Sequence, residues 1–257
     1  MTTRKKIFLI LIISIIISTT SHVTYALDDA LDDTENLGIF FNSDNEEPQA
    51  TVDSVKLLIT LTILTLAPSF LILTTSFTRI VVVLSFLRNA MGTQQSPPNQ
   101  LLIGLALFLT FFIMQPVYTQ VMDEAVTPFM DEEITQQEAM DTAAVPMKEF
   151  MLEQTREKDL ALFLRASDRE NVEDPMDIPL TVIVPAFAIS ELKTAFSIGF
   201  IIFIPFLVID MIVASILMSM GMFMLPPVMI SLPFKLLLFI MVDGWYLVVE
   251  SLLKSFQ

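Results

Sequence analysis

Long apolar runs broken by prolines and separated by two acidic blocks set the pattern of this chain. An apolar region spans Leu57 to about Thr75 with Pro68 inside it, and a second stretch from Phe77 to Ala90 carries Arg79 and Arg88. Gly92 to Gln100, with Pro97-Pro98, reads as a turn. Further apolar helices are expected over Leu101–Val121, about Thr194–Leu217 and about Val228–Leu253. Runs of this length suit bilayer-crossing helices, and four hydrophobic elements arranged as two hairpins is the simplest arrangement. The expected fold is all-α: hydrophobic, proline-kinked hairpins of an integral membrane-type protein.

The acidic blocks divide these runs. Leu27 to Asp53 holds nine acidic residues and no basic one, and reads as an exposed arm. Asp123 to Asp177 holds 16 acidic and five basic residues, and reads as solvated loops with some helix. The predicted organisation is 1–26 as a signal peptide, 27–53 as the acidic arm, 54–122 as the first hairpin, 123–180 as an acidic periplasmic region and 181–257 as the second hairpin with a Met-rich turn.

Residues 1–26 place Arg4, Lys5 and Lys6 before an apolar run, Ile7–Ile17, and the small-residue site Thr24-Tyr25-Ala26. This is the pattern of a cleavable secretory signal, with the cut between Ala26 and Leu27. An uncleaved anchor is the alternative reading. Its apolar core falls short of the roughly 20 residues a crossing helix needs. Cleavage leaves the mature N-terminus outside, and Arg79 and Arg88 near the first turn favour the cytoplasmic side for that turn. Both acidic blocks then face outward and the Met-rich turn faces inward.

Composition narrows the chemistry. The chain is 54% hydrophobic and 17% charged, with a mean hydropathy of +0.68, too apolar for an ordinary soluble domain. It has no cysteine, and its one histidine, His22, lies in the segment that cleavage removes. Zinc ligation, Ser-His or Cys-His nucleophile activation and histidine proton relays therefore each lack a required group. No HExxH, GxSxG or Walker pattern occurs, so no catalytic, metal or cofactor site is expected.

Two features stand out within the apolar half. Six of the 16 methionines fall between Met211 and Met229, with Met218, Met220, Met222 and Met224 leading into Pro226-Pro227. Unbranched, polarizable thioethers at a break between two helices make a surface that can seal and re-pack. Ordinary gap-filling by methionine is the plainer alternative. Asp210 and Lys235 each interrupt an apolar run, where a charge costs roughly 2.5 to 3.5 kcal/mol at a helix centre. They lie at similar distances either side of Pro226-Pro227, so pairing across the hairpin is open to them. Lys235 could instead snorkel, or pair with Asp243 eight residues on. Pro68, Pro116, Pro205 and Pro233 are expected to kink their helices. Too few ionisable groups sit at mid-depth for an ion-coupled pump.

PAFAISELKTAFSIG at Pro185–Gly199, IFIPFLVIDMIVASILMSMGMFMLPP at Ile202–Pro227, SLPFKLLLFIMVDGW at Ser231–Trp245 and GTQQSPPNQLLIGLALFLTFFIMQP at Gly92–Pro116 resemble the FliP family of flagellar protein-export gate components. The resemblance runs from about Lys56 onward. It implies a ring of about five copies with FliQ and FliR at the core of a type III secretion apparatus, through which unfolded flagellar substrates pass. FlhB, FlhA and the assembly factor FliO are the further partners it implies, with no nucleic acid. It also implies an inner-membrane, basal-body location with much of the complex on the periplasmic side. Met222, Phe223 and Met224, flanked by Met218 and Met220, match the family's gasket loop. Phe223 stands where a methionine is common, giving a stiffer side chain. Asp210 and Lys235 match charged positions of the family motif, which favours a buried pair. An injectisome homologue, a small-solute transporter and an assembly scaffold are the competing functions.

Overall fold

A computed structural model describes residues 48–93, 96–169, 172, 174–222 and 224–256. The signal-cleavage positions Ala26 and Leu27, most of the acidic arm, and Phe223 lie outside them. The chain divides into two compact units, residues 1–66 and 67–257. Every described element is helical: α1 Pro48–Thr74, α2 Phe77–Met91, α3 Asn99–Ile113, α4 Gln115–Val121, a π-type turn Met122–Val126, α5 Thr127–Met130, α6 Gln136–Gln154, α7 Glu157–Ala166, a 3₁₀ turn Pro175–Asp177, α8 Leu180–Ser219, α9 Pro227–Met241 and α10 Gly244–Lys254. The fold is all-α and membrane-type.

The described part of the first unit is the leading stretch of α1, where Leu57, Leu58, Ile63 and Leu64 are exposed.

In the second unit α2 is the central element. Phe77, Ile80, Val83, Leu84, Leu87, Ala90 and Met91 recur every three or four residues and are all buried, as one apolar face of a helix requires. They pack against Leu102 and Ala106 of α3, Ala195 and Phe206 of α8, Phe239 of α9, and Val248 and Leu252 of α10. The two expected hairpins are thus not separate modules, because α2 from the first is buried against α8 of the second.

Side-chain chemistry explains where the elements stop. Hydroxyls add bonds to the carbonyls in the last turns of α1: Thr74 donates to Phe70 (3.0 Å), Thr75 to Leu71 (2.8 Å) and Thr78 to Ile72 (2.8 Å). Helix α2 ends on Gly92 in the left-handed region, φ 75°, where a residue without Cβ is cheapest.

The breaks differ in part from expectation. The segment read as one helix over Leu101–Val121 bends by 57° between α3 and the following segment at Met114-Gln115. Pro116 directly follows and supplies no backbone donor. The last apolar segment bends by 64° between α9 and α10, at Asp243 and not at Pro233, which α9 accommodates. Asp243 takes a left-handed conformation, φ 51°. Gly244 lets the Phe239 ring approach so closely that a Cβ there would lie 2.1 Å from it. Helix α8 begins at Leu180, fourteen residues before the expected Thr194, and runs unbroken for 40 residues through Pro185 and Pro205.

By length and composition α8 alone, among the described residues, is apolar enough to cross a membrane as one helix; three bent pairs qualify only if each pair counts as one span. At 15 residues α2 belongs to none of them.

The acidic block is more ordered than a loop. Thr135 caps α6 in a capping box with Glu138, and Phe150 and Met151 join Met114, Ile178, Val182, Ile183 and Phe187 in a second core. Its apolar positions settle against the first turns of α8.

Candidate functional site

The Met-rich turn joins α8 to α9. Helix α8 ends in a Schellman motif: Met222 N–H bonds Leu217 C=O (3.0 Å) and Gly221 N–H bonds Met218 C=O (3.1 Å). Gly221 supplies the left-handed step, φ 74°. The turn therefore has a fixed exit from α8 while its side chains stay free of the core. Met224 is 98% exposed, Met220 66% and Met218 54%; Met222 is half-buried. Leu225, Val228 and Met229 extend the same exposed apolar surface.

Beneath this turn, about 12 Å back along α8 at 1.5 Å per residue, Asp210 meets Lys235. The ammonium lies 2.6 Å from Asp210 Oδ2 and donates also to the Ala90 carbonyl at 3.1 Å. Ser231 donates its hydroxyl to Asp210 Oδ1. Lys235 is 3% exposed and Asp210 27%. Because Ala90 is in the last turn of α2, the cation also meets the negative end of that helix. One side chain thereby ties α8, α9 and α2 together. Asp243 takes no part: the break before α10 removes the common helix face that would have brought it to Lys235.

Arg79, expected beside the first turn as an exposed basic residue, is packed inside the chain. It is 2% exposed. Its Nε bonds Glu191 Oε2 at 2.9 Å and its Nη2 bonds Glu191 Oε1. Nη1 donates to Ser255 O (2.6 Å) and Oγ (3.1 Å), and Nη2 to Gln154 Oε1 (3.0 Å). All five guanidinium donors are used. The Phe256 ring lies 3.8 Å from the guanidinium carbon and packs on both cores. Arg79 thus fastens α2, α6, α8 and the chain's last turn to one point. Arg88 sits at the other end of α2, bonding the Asn99 side chain, so it alone retains the role of a basic residue beside the first turn.

Sequence reasoning missed Glu191 because the expected helix began after it. The signal was present: a buried arginine needs a carboxylate, and few carboxylates interrupt the apolar runs. Next to Glu191, Ser190 donates to Asp159 Oδ2 (2.7 Å) and accepts from Arg156 N–H (3.1 Å). The Ser190 hydroxyl, then Arg156, holds the Asp159 carboxyl below its ordinary range.

Among the described residues no three or more His, Cys, Asp or Glu side chains gather as a metal site. Both charge centres are spent on holding helices. What the arrangement offers chemically is a soft, exposed thioether turn on a rigidly braced hairpin.

Known proteins resemble this chain along most of its length. The FliP family model matches residues 60–252. "Flagellar biosynthetic protein FliP" of Bacillus subtilis is 63% identical over 222 residues, covering 86% of this chain and 99% of its own length. The proteins of that name from Aquifex aeolicus (54%, covering 80% and 87%) and Borreliella burgdorferi (45%, covering 91% and 94%) are similar over most of their lengths too. With the family model and these relatives spanning the braced core and the Met-rich turn alike, the chain belongs to the FliP family.

Proposed function

We propose that this chain is a core subunit of the flagellar protein-export gate, forming with FliQ and FliR a channel for unfolded flagellar substrates. It works without chemistry: copies of the chain surround a pathway in the bacterial inner membrane at the basal body, and their Met218–Met224 turns close it. FlhB, FlhA and FliO are further partners of this reading, and much of the assembly stands on the periplasmic side.

The observation that carries the reading is the contrast between an exposed thioether turn and the ion pair on a buried Lys235 beneath it. A seal that must close on many sequences needs compliant side chains with no strong preference, mounted on a base that does not move. Large apolar faces on α3, α8 and α9, including Phe108, Phe200, Ile240 and Met241, are exposed on the single chain. Lipid or neighbouring subunits must cover that much apolar surface. The flagellar names of the similar proteins favour flagellar over injectisome use. The pairing of Asp210 with Lys235 removes the mid-depth charges a solute transporter would use.

Two experiments test the reading. Native mass spectrometry of the detergent-extracted protein, coexpressed with FliQ and FliR, should give a complex of about five copies plus partners; a monomer that ignores them refutes it. Replacing Met222, Phe223 and Met224 by Ala should make the resting complex leak small ions, and unchanged conductance removes the gasket role.

A further inference from the structure

We propose that Met218, Met220 and Met224 form an oxidation-sensitive site, at which hydroperoxides convert the gate's apolar seal into a polar, leaking one. This rests on the gasket role proposed above and adds to it a class of reactant and a mode of control.

Accessibility is the first ground. Thioether oxidation follows exposure, and the described methionines differ widely in it. Met91, Met114 and Met151 are buried in the two cores, while Met224 is almost fully exposed and Met218 and Met220 more than half so, a level that Met130, Met140, Met211, Met229 and Met241 share outside the turn. The backbone of the turn is held by the Schellman hydrogen bonds, so on the single chain these side chains are presented outward without any unfolding, toward the pathway in the assembly proposed above. The second ground is the absence of a competing sink. Thiols react with peroxide ahead of thioethers, and this chain has no cysteine. Its sulfur chemistry falls on methionine alone.

The step balances without a cofactor. A sulfur lone pair attacks the terminal peroxide oxygen, the O–O bond breaks, the sulfur–oxygen bond forms, and the displaced hydroxide takes up the remaining proton to leave as water, or the displaced alkoxide of an organic hydroperoxide to leave as an alcohol. Sulfur is oxidised by two electrons and the peroxide reduced by two. A flexible apolar side chain becomes a polar, chiral sulfoxide that methionine sulfoxide reductases can return to thioether. Clustered sulfoxides at a closure would hold water, where thioethers exclude it. The Asp210–Lys235 brace contains no oxidisable group and survives the reaction, so opening is confined to the turn.

The test uses the assembled complex in liposomes, treated with hydrogen peroxide and followed by peptide mapping and ion leak. Met218, Met220 and Met224 should gain oxygen about tenfold faster than Met91, Met114 and Met151, with leak rising in step and falling again after sulfoxide reductase treatment. The triple variant Met218→Leu, Met220→Leu, Met224→Leu, whatever its own untreated leak, should show no further rise on peroxide treatment although exposed Met130 and Met140 still oxidise. Triple substitution by Gln, a polar stand-in, should leak without peroxide. Equal oxidation of exposed and buried methionines overturns the inference, as does oxidised but tight protein when the Ala variants leak. If oxidised protein and Ala variants are both tight, the gasket itself is refuted.

Discussion

Removing Glu191 is the sharpest probe of the brace. In Glu191→Ala the guanidinium of Arg79 keeps its bonds to Ser255 and Gln154 but loses Nε and one Nη2 partner, with its neutralising charge, at a site where both side chains are at most 2% exposed. Two orphaned donors at about 1 to 3 kcal/mol each bracket the about 3 to 5 kcal/mol expected for breaking a buried pair from one side. At about 2 to 4 °C per kcal/mol for a chain of this size, the apparent unfolding midpoint of the detergent-purified protein should fall by roughly 6 to 20 °C. The double variant Arg79→Met, Glu191→Leu removes both charges and should recover part of that loss. Recovery stays incomplete because the Ser255 carbonyl and Gln154 lose their donor. A midpoint for Glu191→Ala within about 0.5 kcal/mol of the parent, the range of ordinary surface changes, would refute the claim that this pair holds α2, α8 and the C-terminal turn together. So would a double variant that loses as much as the two single changes added, since coupled residues do not add.

Asp210→Ala should lower recovery of the assembled complex and shift the unfolding midpoint less than Glu191→Ala, because Asp210 is partly exposed and Lys235 keeps the Ala90 carbonyl; an equal or larger shift would contradict that ranking. Three glycines separate space from backbone conformation. Gly199→Ala should destabilise, since its Cβ would lie 2.7 Å from the Phe86 ring, while Gly104→Ala, with nothing within 4 Å, should be neutral or stabilising by about 0.5 to 1 kcal/mol. Gly221→Ala also meets no atom, so its cost should be that of the left-handed backbone alone, about 1 to 2 kcal/mol; thermal unfolding of the three side by side checks the order. For Asp159 the folded carboxyl titrates below its unfolded value. Its contribution is therefore fully present above the unfolded value of about 3.9 and is lost as pH falls through the folded one. Asp159→Asn should flatten that acid limb in a pH series of unfolding midpoints, and an unchanged limb would assign it to other carboxylates.

What could be read from the sequence was local. Hydropathy placed most of the apolar elements, and the double prolines marked the turn at Gly92–Gln100 and the Met-rich turn before Pro226-Pro227, because helix periodicity and turn chemistry act over a few residues. The same local reading marked Arg79, Asp210 and Lys235 as charges needing explanation. Partner choice was decided elsewhere. Arg79 and Glu191 are 112 positions apart, and only the packing of α2 on α8 brings them together and buries the arginine. Lys235 took Asp210 over Asp243 because the chain bends by 64° between α9 and α10, where the Phe239 ring sits against Gly244. The acidic block read as solvated because its net charge hides the few apolar positions, Phe150 and Met151 among them, that find Val182 and Phe187 only once α8 extends back to Leu180. Sequence alone determined that the apolar runs are helical and where the soft turn lies, since those follow from each residue's near neighbours. Tertiary structure alone decided which charges neutralise which and what holds the turn steady, since burial can be satisfied only by groups the whole fold brings within reach.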